Sequence, residues 1–250
     1  MRLPILAAAV VLLPSLTWAA DPADLARVKQ GEACVKCDLK DADLSGMTLS
    51  GRNLGGAFLD GANFTGAKLD GVNLSGASLE GARFNGADLS GADLVIAKLN
   101  DAVFDDARMN GANLDSTRLE KASFRGVQGA GAKFRKARAR AADFTGADLT
   151  GADFAGAKAP AALFDGISAD GAKFRKAGLA GAFFRGANVK GANFHGAELW
   201  KADMTDARIV GADFSRAHLR IAKLPDGLAE TNLCRATLPD GSQSLQGCRN

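Results

Sequence analysis

A large apolar residue recurs at every fifth position between residues 37 and 226, and this period limits the possible folds. Steps of five from Leu39 to Leu224 give 38 centres, of which 34 are Leu, Phe, Met, Ile or Val. The other four centres are Gly129, Ala139, Ala159 and Ala169. Residues five apart would spiral around a helix, and a strand needs alternation. A fixed short repeat is instead typical of a solenoid, in which each unit buries its apolar face against its neighbours.

The order of the centres predicts a coil of twenty residues. Among the centres, phenylalanine occurs only in two series whose members are twenty residues apart, one including Phe64 to Phe184 and the other Phe134 to Phe214. A coil with four sides of five residues explains this segregation, because like residues then stack directly above one another. The four small centres lie at levels where both series carry phenylalanine. They compensate for its volume, as a close-packed interior requires.

The repeat unit, Ala-(Asp/Asn)-(Leu/Phe)-x-Gly, resembles that of the pentapeptide-repeat family, A(D/N)Lxx. The segments 87–91, 92–94 and 147–151 carry the resemblance most clearly, and it extends over 190 of the 250 residues, 37–226. The resemblance implies an all-β fold, a right-handed quadrilateral β-helix, and 38 centres on four sides give about 9–10 coils. It implies little about function, because one fold hosts many functions.

Residues 1–20 are typical of a secretory signal peptide. Arg2 precedes an apolar stretch, 3–16, that is too short to span a bilayer, and cleavage is predicted after Ala19 or Ala20. An uncleaved anchor is the alternative. We therefore expect a periplasmic or secreted protein without a transmembrane segment in its mature chain.

Two short segments flank the repeats, and we expect both to cap the solenoid ends. In residues 21–36, Asp21 and Pro22 are typical of the first positions of a helix. In residues 227–250, Cys234 and Cys248 would close a 15-residue loop if they were bonded. A cap is needed because an open end exposes unpaired backbone and invites edge-to-edge aggregation.

Cys34 and Cys37 lie at the entry to the repeats and allow four interpretations. They form a structural disulfide, two buried thiols of the cap, a redox dithiol, or half of a metal site. A Cys-x-x-Cys spacing alone is a weak signal. With no second ligand pair nearby and an export signal present, the sequence favours the disulfide.

The repeat region contains no motif for catalysis, a cofactor or a metal ion. The chain has only two histidines, His195 and His218, and no phosphate loop, dinucleotide fingerprint or nucleophile elbow. We therefore predict a protein that is not an enzyme. Trp200 should point outward, either packed on Ala180 with Arg220 over its ring or exposed as a hot spot for a protein partner.

Positive charge is concentrated in one part of the chain. Residues 118–140 contain eight basic residues and one acidic residue, Glu120, a net charge of +7. Twenty-residue stacking would place Lys98, Arg118, Arg138 and Lys158 in one outward column. The remaining candidates for an anion-binding stripe are Lys133, Arg135, Lys136, Arg140, Lys173, Arg175 and Lys176. The alternative is a solvated surface in which Asp115 offsets Arg135 and Glu120 offsets Arg140.

Three functions follow from these features. The first is a non-catalytic exported scaffold that binds a protein or an anionic polymer of unknown identity. The second, implied by the resemblance, is mimicry of duplex DNA to bind type II topoisomerases. A net charge of +2 on the mature chain and the export signal argue against it, and nothing indicates binding to nucleic acid. The third is a periplasmic thiol or metal protein that uses Cys34 and Cys37. The sequence does not predict the oligomeric state.

Overall fold

Single parallel β-bridges join successive coils of a solenoid in the computed structural model, which describes residues 20–248. From the Asp38 to Phe58 bridge to the Asp203 to Lys223 bridge, each links a residue to the one twenty positions later. Bridged residues are five positions apart, so each coil has four of them. The twenty-residue period predicted from the sequence is confirmed. Within residues 20–248, no strand is longer than one bridge.

Most sides of the coils repeat the same backbone hydrogen bonds. The N–H of Leu59, a centre, donates to the carbonyl of Ser78 at 2.7 Å, and the N–H of Ser78 donates back to Ala57 at 2.9 Å. A turn follows, in which the N–H of Ala62 donates to the carbonyl of Leu59 at 3.0 Å. The corner residue of that turn, Gly61, has φ 69°, which glycine adopts without steric cost.

Two columns of phenylalanine rings form the core. Rings in the column from Phe64 to Phe184 stack with centroids 4.6–5.0 Å apart, and those from Phe134 to Phe214 stack at 4.5–5.1 Å. The columns meet edge to face at 5.4–5.8 Å. All these rings are at most 1% exposed. The solenoid therefore has a filled interior, and any binding surface must lie on its outside.

A short helix, α1 (Pro22–Lys29), lies at the N-terminal end. Asp21 is its N-cap residue, and its carboxylate accepts from the N–H groups of Ala23 and Asp24 at 2.8 and 3.1 Å. The helix is bonded to the first coil, because Asp24 Oδ2 accepts from the N–H of Asp38 at 2.9 Å. The predicted signal peptide, 1–20, lies outside the described residues except for Ala20. Within residues 20–248, no helix has the length and apolar character needed to cross a bilayer.

The last coil is one residue shorter than the others. A 3₁₀ helix, Leu228–Glu230, replaces one side, and the bridges from Asp213 to Asn232 and from His218 to Thr237 span nineteen residues. The chain then reverses, and Thr237 pairs antiparallel with Gln243. Parallel pairing thus continues beyond residue 226, the predicted end of the repeats. The reason is that 233 and 238 return to the five-residue spacing.

Candidate functional site

Four cationic residues stack on consecutive coils along one side of the solenoid. Parallel bridges join Lys98 to Arg118, Arg118 to Arg138, and Arg138 to Lys158. We call these four residues the basic ladder. All four are exposed, and adjacent coils are about 4.8 Å apart. Like charges that stand directly opposite each other across strands are destabilising. The ladder therefore has an energetic cost that a bound anion would reduce.

The ladder is only weakly neutralised by the protein itself. Arg138 Nη2 lies 3.8 Å from Glu120 Oε1, with both side chains largely exposed. Within residues 20–248, Lys98, Arg118 and Lys158 form no ion pair. The expectation that Glu120 would offset Arg140 is wrong, because the long side chain of Arg138 reaches Glu120 across the diagonal, which cross-strand neighbours permit. Three of the four residues of the basic ladder thus lack an acidic partner.

The adjoining side carries two identical basic segments. Residues 131–137 and 171–177 have the same sequence, GAKFRKA, and lie two coils apart. Their cations are Lys133, Arg135 and Lys136 in the first segment, and Lys173, Arg175 and Lys176 in the second. We call each set a basic triad. The first triad is continuous with the ladder, because only one residue separates Lys136 from Arg138.

The arginine of the first triad is neutralised by an acid one coil below it. Arg135 Nε donates to Asp115 Oδ2 at 2.8 Å, Nη2 also bonds this oxygen, and the backbone N–H of Arg135 donates to Oδ1 at 2.9 Å. The hydrogen bond to Asp115 raises the pKa of Arg135 above its usual value. Arg185 and Asp165 repeat the arrangement, with Nε to Oδ2 at 3.0 Å. An aspartate twenty residues earlier therefore supplies a built-in counterion.

The arginine of the second triad has no such partner. Ala155 stands one coil below Arg175, where Asp115 stands below Arg135. A cavity of 440 Å³ opens there, lined by Lys136, Asp153, Ala155, Gly156, Lys173, Arg175 and Lys176. Its four cationic side chains form no ion pair or hydrogen bond with any residue from 20 to 248. We call this cavity the basic notch. Asp153 is its one acid, and its Oδ1 accepts from the N–H of Ala155 at 3.0 Å.

Two family profiles match the repeats. The profile described as pentapeptide repeats matches eight copies within residues 37–76, 57–94 and 184–220, and the pentapeptide repeat region profile matches 79–154. Together they cover 155 of the 250 residues. The chain belongs to the pentapeptide repeat family. A search of curated proteins found no match.

Solved structures similar to this pentapeptide repeat protein include HetL, which is involved in heterocyst differentiation regulation in the cyanobacterium Nostoc sp. strain PCC 7120. Identity to HetL is 30%, over 82% of this chain and 90% of HetL, with a TM-score of 0.42. A pentapeptide repeat protein of the Arabidopsis thaliana thylakoid lumen is 30% identical over 46% of this chain and 66% of its own, with a TM-score of 0.34. A trypsin-treated QnrB1, a plasmid-mediated fluoroquinolone resistance protein, is 23% identical over 79% and 91%, with a TM-score of 0.39.

Both cysteine pairs of this pentapeptide repeat protein are bonded. Cys34 pairs with Cys37, and Cys234 pairs with Cys248, with Cα atoms 5.4 and 4.7 Å apart. Asp24 lies beside the first pair, and the potential ligand atoms of these three residues are within 4.8 Å of one another. The thiolate is the form that attacks disulfides and binds metals. A redox or metal function at this end would therefore require reduction of the bond.

Trp200 points outward as predicted, but the predicted contact of its ring with Arg220 is wrong. Lys201 Nζ, not Arg220, lies over the indole ring, 4.3 Å from its centroid. Lys201 is the adjacent corner residue, with φ 57°, and its flexible stem folds back over the ring. The ring remains 44% exposed.

The basic notch of this pentapeptide repeat protein was not predicted from the sequence. Its cations were identified, but the replacement of Asp115 by Ala155 beneath an identical segment was not. A comparison of each arginine with the residue twenty positions earlier would have found that difference, because bridged coils place those two residues in contact.

Proposed function

We propose that this protein is an exported, non-catalytic scaffold that binds an anionic polymer through its basic ladder and basic triads. The observation that carries the proposal is the stacking of four cations on consecutive coils with one distant acidic neighbour. Neighbouring exposed charges act together over the screening length of about 8–10 Å at physiological ionic strength. A row of cations about 4.8 Å apart therefore presents one continuous positive surface.

A charged polymer fits this surface better than a folded protein does. Hot spots of protein interfaces are enriched in tryptophan, tyrosine and arginine and lie in well-packed, desolvated pockets. Exposed large apolar side chains of residues 20–248 are Val35, Phe58, Ile96, Trp200, Val210, Ile221 and Leu245. None of them lies within residues 98–176 of the sequence, although Ile96 is two residues from Lys98. The basic surface is polar and solvated, as electrostatic binding of a chain requires.

Export is proposed from the signal peptide in residues 1–20, and two bonded cysteine pairs suit an oxidising compartment. N-terminal sequencing of the exported protein should begin at Ala20 or Asp21, and a chain that starts at Met1 would contradict cleavage. We further propose that the coil is right-handed and four-sided, with segments 21–36 and 227–250 as its caps. Mimicry of DNA is disfavoured, because that function needs an acidic surface.

The test of the ladder is retention on a dextran sulfate column. We expect a variant with Arg118, Arg138 and Lys158 changed to Glu to elute at clearly lower salt than the wild type. The control has the same charge change on another side of the solenoid, at Lys68, Arg108 and Arg208. This control should elute much closer to the wild type than the ladder variant does. Equal elution of the two folded variants would contradict binding through the ladder.

A further inference from the structure

The two basic triads provide an internal comparison, because the same seven residues have different neighbours. Below Arg135, the Asp115 carboxylate bonds the guanidinium through Oδ2 and the backbone N–H through Oδ1. Below Arg175, a methyl group occupies this position, and the backbone N–H of Arg175 has no acceptor among residues 20–248. The donors that hold a carboxylate in the first triad are thus unfilled in the second.

The basic notch also adds charge that the first triad lacks. Lys136 and Lys176 stand at the corners one coil below and one coil above Gly156, and Lys173 and Arg175 complete the wall. Four cations and Asp153 give the lining a net charge of +3. The floor of the notch, formed by Ala155 and Gly156, is open. Even a Cβ added to Gly156 would have Lys136 Cγ, 3.8 Å away, as its nearest neighbour.

We infer that the basic notch binds a carboxylate of the polymer, in the place that Asp115 fills for Arg135, and that the polymer is a polysaccharide containing uronic acid. This inference rests on the proposed function and specifies its ligand. In the first triad, one oxygen of the Asp115 carboxylate accepts both guanidinium bonds and the other accepts the backbone N–H, and a uronate carboxylate offers the same two acceptors. The notch is an open depression of 440 Å³, more than a carboxylate alone fills. The sugar ring that carries the acid can therefore lie over the notch without being enclosed.

The position of the notch fits a chain that also contacts the ladder. Lys136 forms part of the notch and is two residues from Arg138, the third residue of the basic ladder. The ladder ends above Lys158, which is bridged to Gly178, and the notch opens on the adjoining side at the same coils. A polymer that follows the ladder can therefore place one acidic sugar in the notch.

The experiment measures binding of a defined oligogalacturonate by calorimetry to the wild type and to three variants. Ala155→Asp supplies the missing internal carboxylate and should weaken binding about tenfold or more, since it occupies Arg175 and repels the ligand. Ala130→Asp introduces the same charge at the equivalent repeat position of another side, and it should change binding less than threefold. Arg175→Gln removes the fork without adding a charge and should weaken binding as Ala155→Asp does.

The ligand has a matched control in the methyl-esterified oligogalacturonate, which keeps the sugar rings and lacks the charge. We expect it to bind weakly and equally to the wild type and Ala155→Asp. Unchanged affinity of both notch variants for oligogalacturonate would overturn the notch while leaving the ladder to its own test. Failure of the wild type to bind oligogalacturonate would overturn the inference. So would notch-dependent binding confined to polyphosphate or polyglutamate, which would assign a different ligand class.

Discussion

Replacing Phe144 by alanine would remove a ring that contacts both aromatic columns. Phe144 is fully buried and stacks on Phe124 and Phe164 with centroids 4.8 and 5.0 Å apart. It also meets the edges of Phe134 and Phe154 at 5.5 and 5.4 Å. Truncation of a buried phenylalanine costs about 3–5 kcal/mol of unfolding free energy. The four ring contacts should place Phe144→Ala at or above the top of that range.

The internal reference is Phe64→Ala. Phe64 is equally buried but makes one ring contact, with Phe84 at 4.8 Å. Each aromatic pair contributes about 0.5–1.5 kcal/mol beyond its buried area. Three additional pairs therefore predict that Phe144→Ala costs about 1.5–4.5 kcal/mol more than Phe64→Ala.

Urea unfolding followed by far-UV circular dichroism would measure both losses. Hydrogen exchange resolved by peptide should accompany it, because repeat proteins can open coil by coil. We expect Phe144→Ala to reduce protection throughout the central coils and Phe64→Ala to reduce it mainly near the N-terminal end. Equal losses of stability for the two variants would refute the argument that contact between the columns strengthens the core.

Three further predictions concern other parts of the molecule. Changing Cys234 and Cys248 to serine should lower the unfolding free energy by about 3 kcal/mol, the value for a loop of about 15 residues; an unchanged urea midpoint would contradict this. Asp203 accepts a hydrogen bond from Thr205 Oγ1 at 2.6 Å, which holds its pKa below the ordinary value. The stabilisation of the folded state that comes from this lowered pKa is complete above about pH 4 and is lost as the pH falls through the folded pKa. The Thr205→Val variant should therefore lose less stability than the wild type on acidification, and an equal loss would contradict this. Ala139→Leu should overpack the core and cost about 1–3 kcal/mol, and an unaltered melting temperature would argue against volume compensation.

The fold was predictable because its determinants are repeated and buried. Each centre is buried by the residues twenty positions away, so the recurrence of phenylalanine every twenty residues after Phe64 and after Phe134 was enough to give the coil size. The reversal that pairs Thr237 with Gln243 was not predicted, because it occurs once and follows no repeat.

The surface was less predictable, for two physical reasons. Glu120 and Trp200 each have two candidate cations at neighbouring repeat positions, and a sequence does not say which of the two makes the contact. The basic notch is distinguished by Ala155, which leaves Arg175 without the carboxylate that Asp115 supplies to Arg135. An alignment of the repeats draws attention to large or charged residues, whereas a binding cavity can depend on a small one such as Ala155.

The constant twenty-residue offset between coils also bears on how such a gene can change. Loss or duplication of twenty codons removes or adds one complete coil and leaves every remaining residue on its original side. A change of five codons preserves the repeat unit but moves all later residues by one side, which separates the aromatic columns and breaks up the basic ladder. We therefore expect length variants of this protein to differ by whole coils. If the proposed ligand binds both surfaces, selection on binding would act on the spacing between the basic ladder and the basic notch.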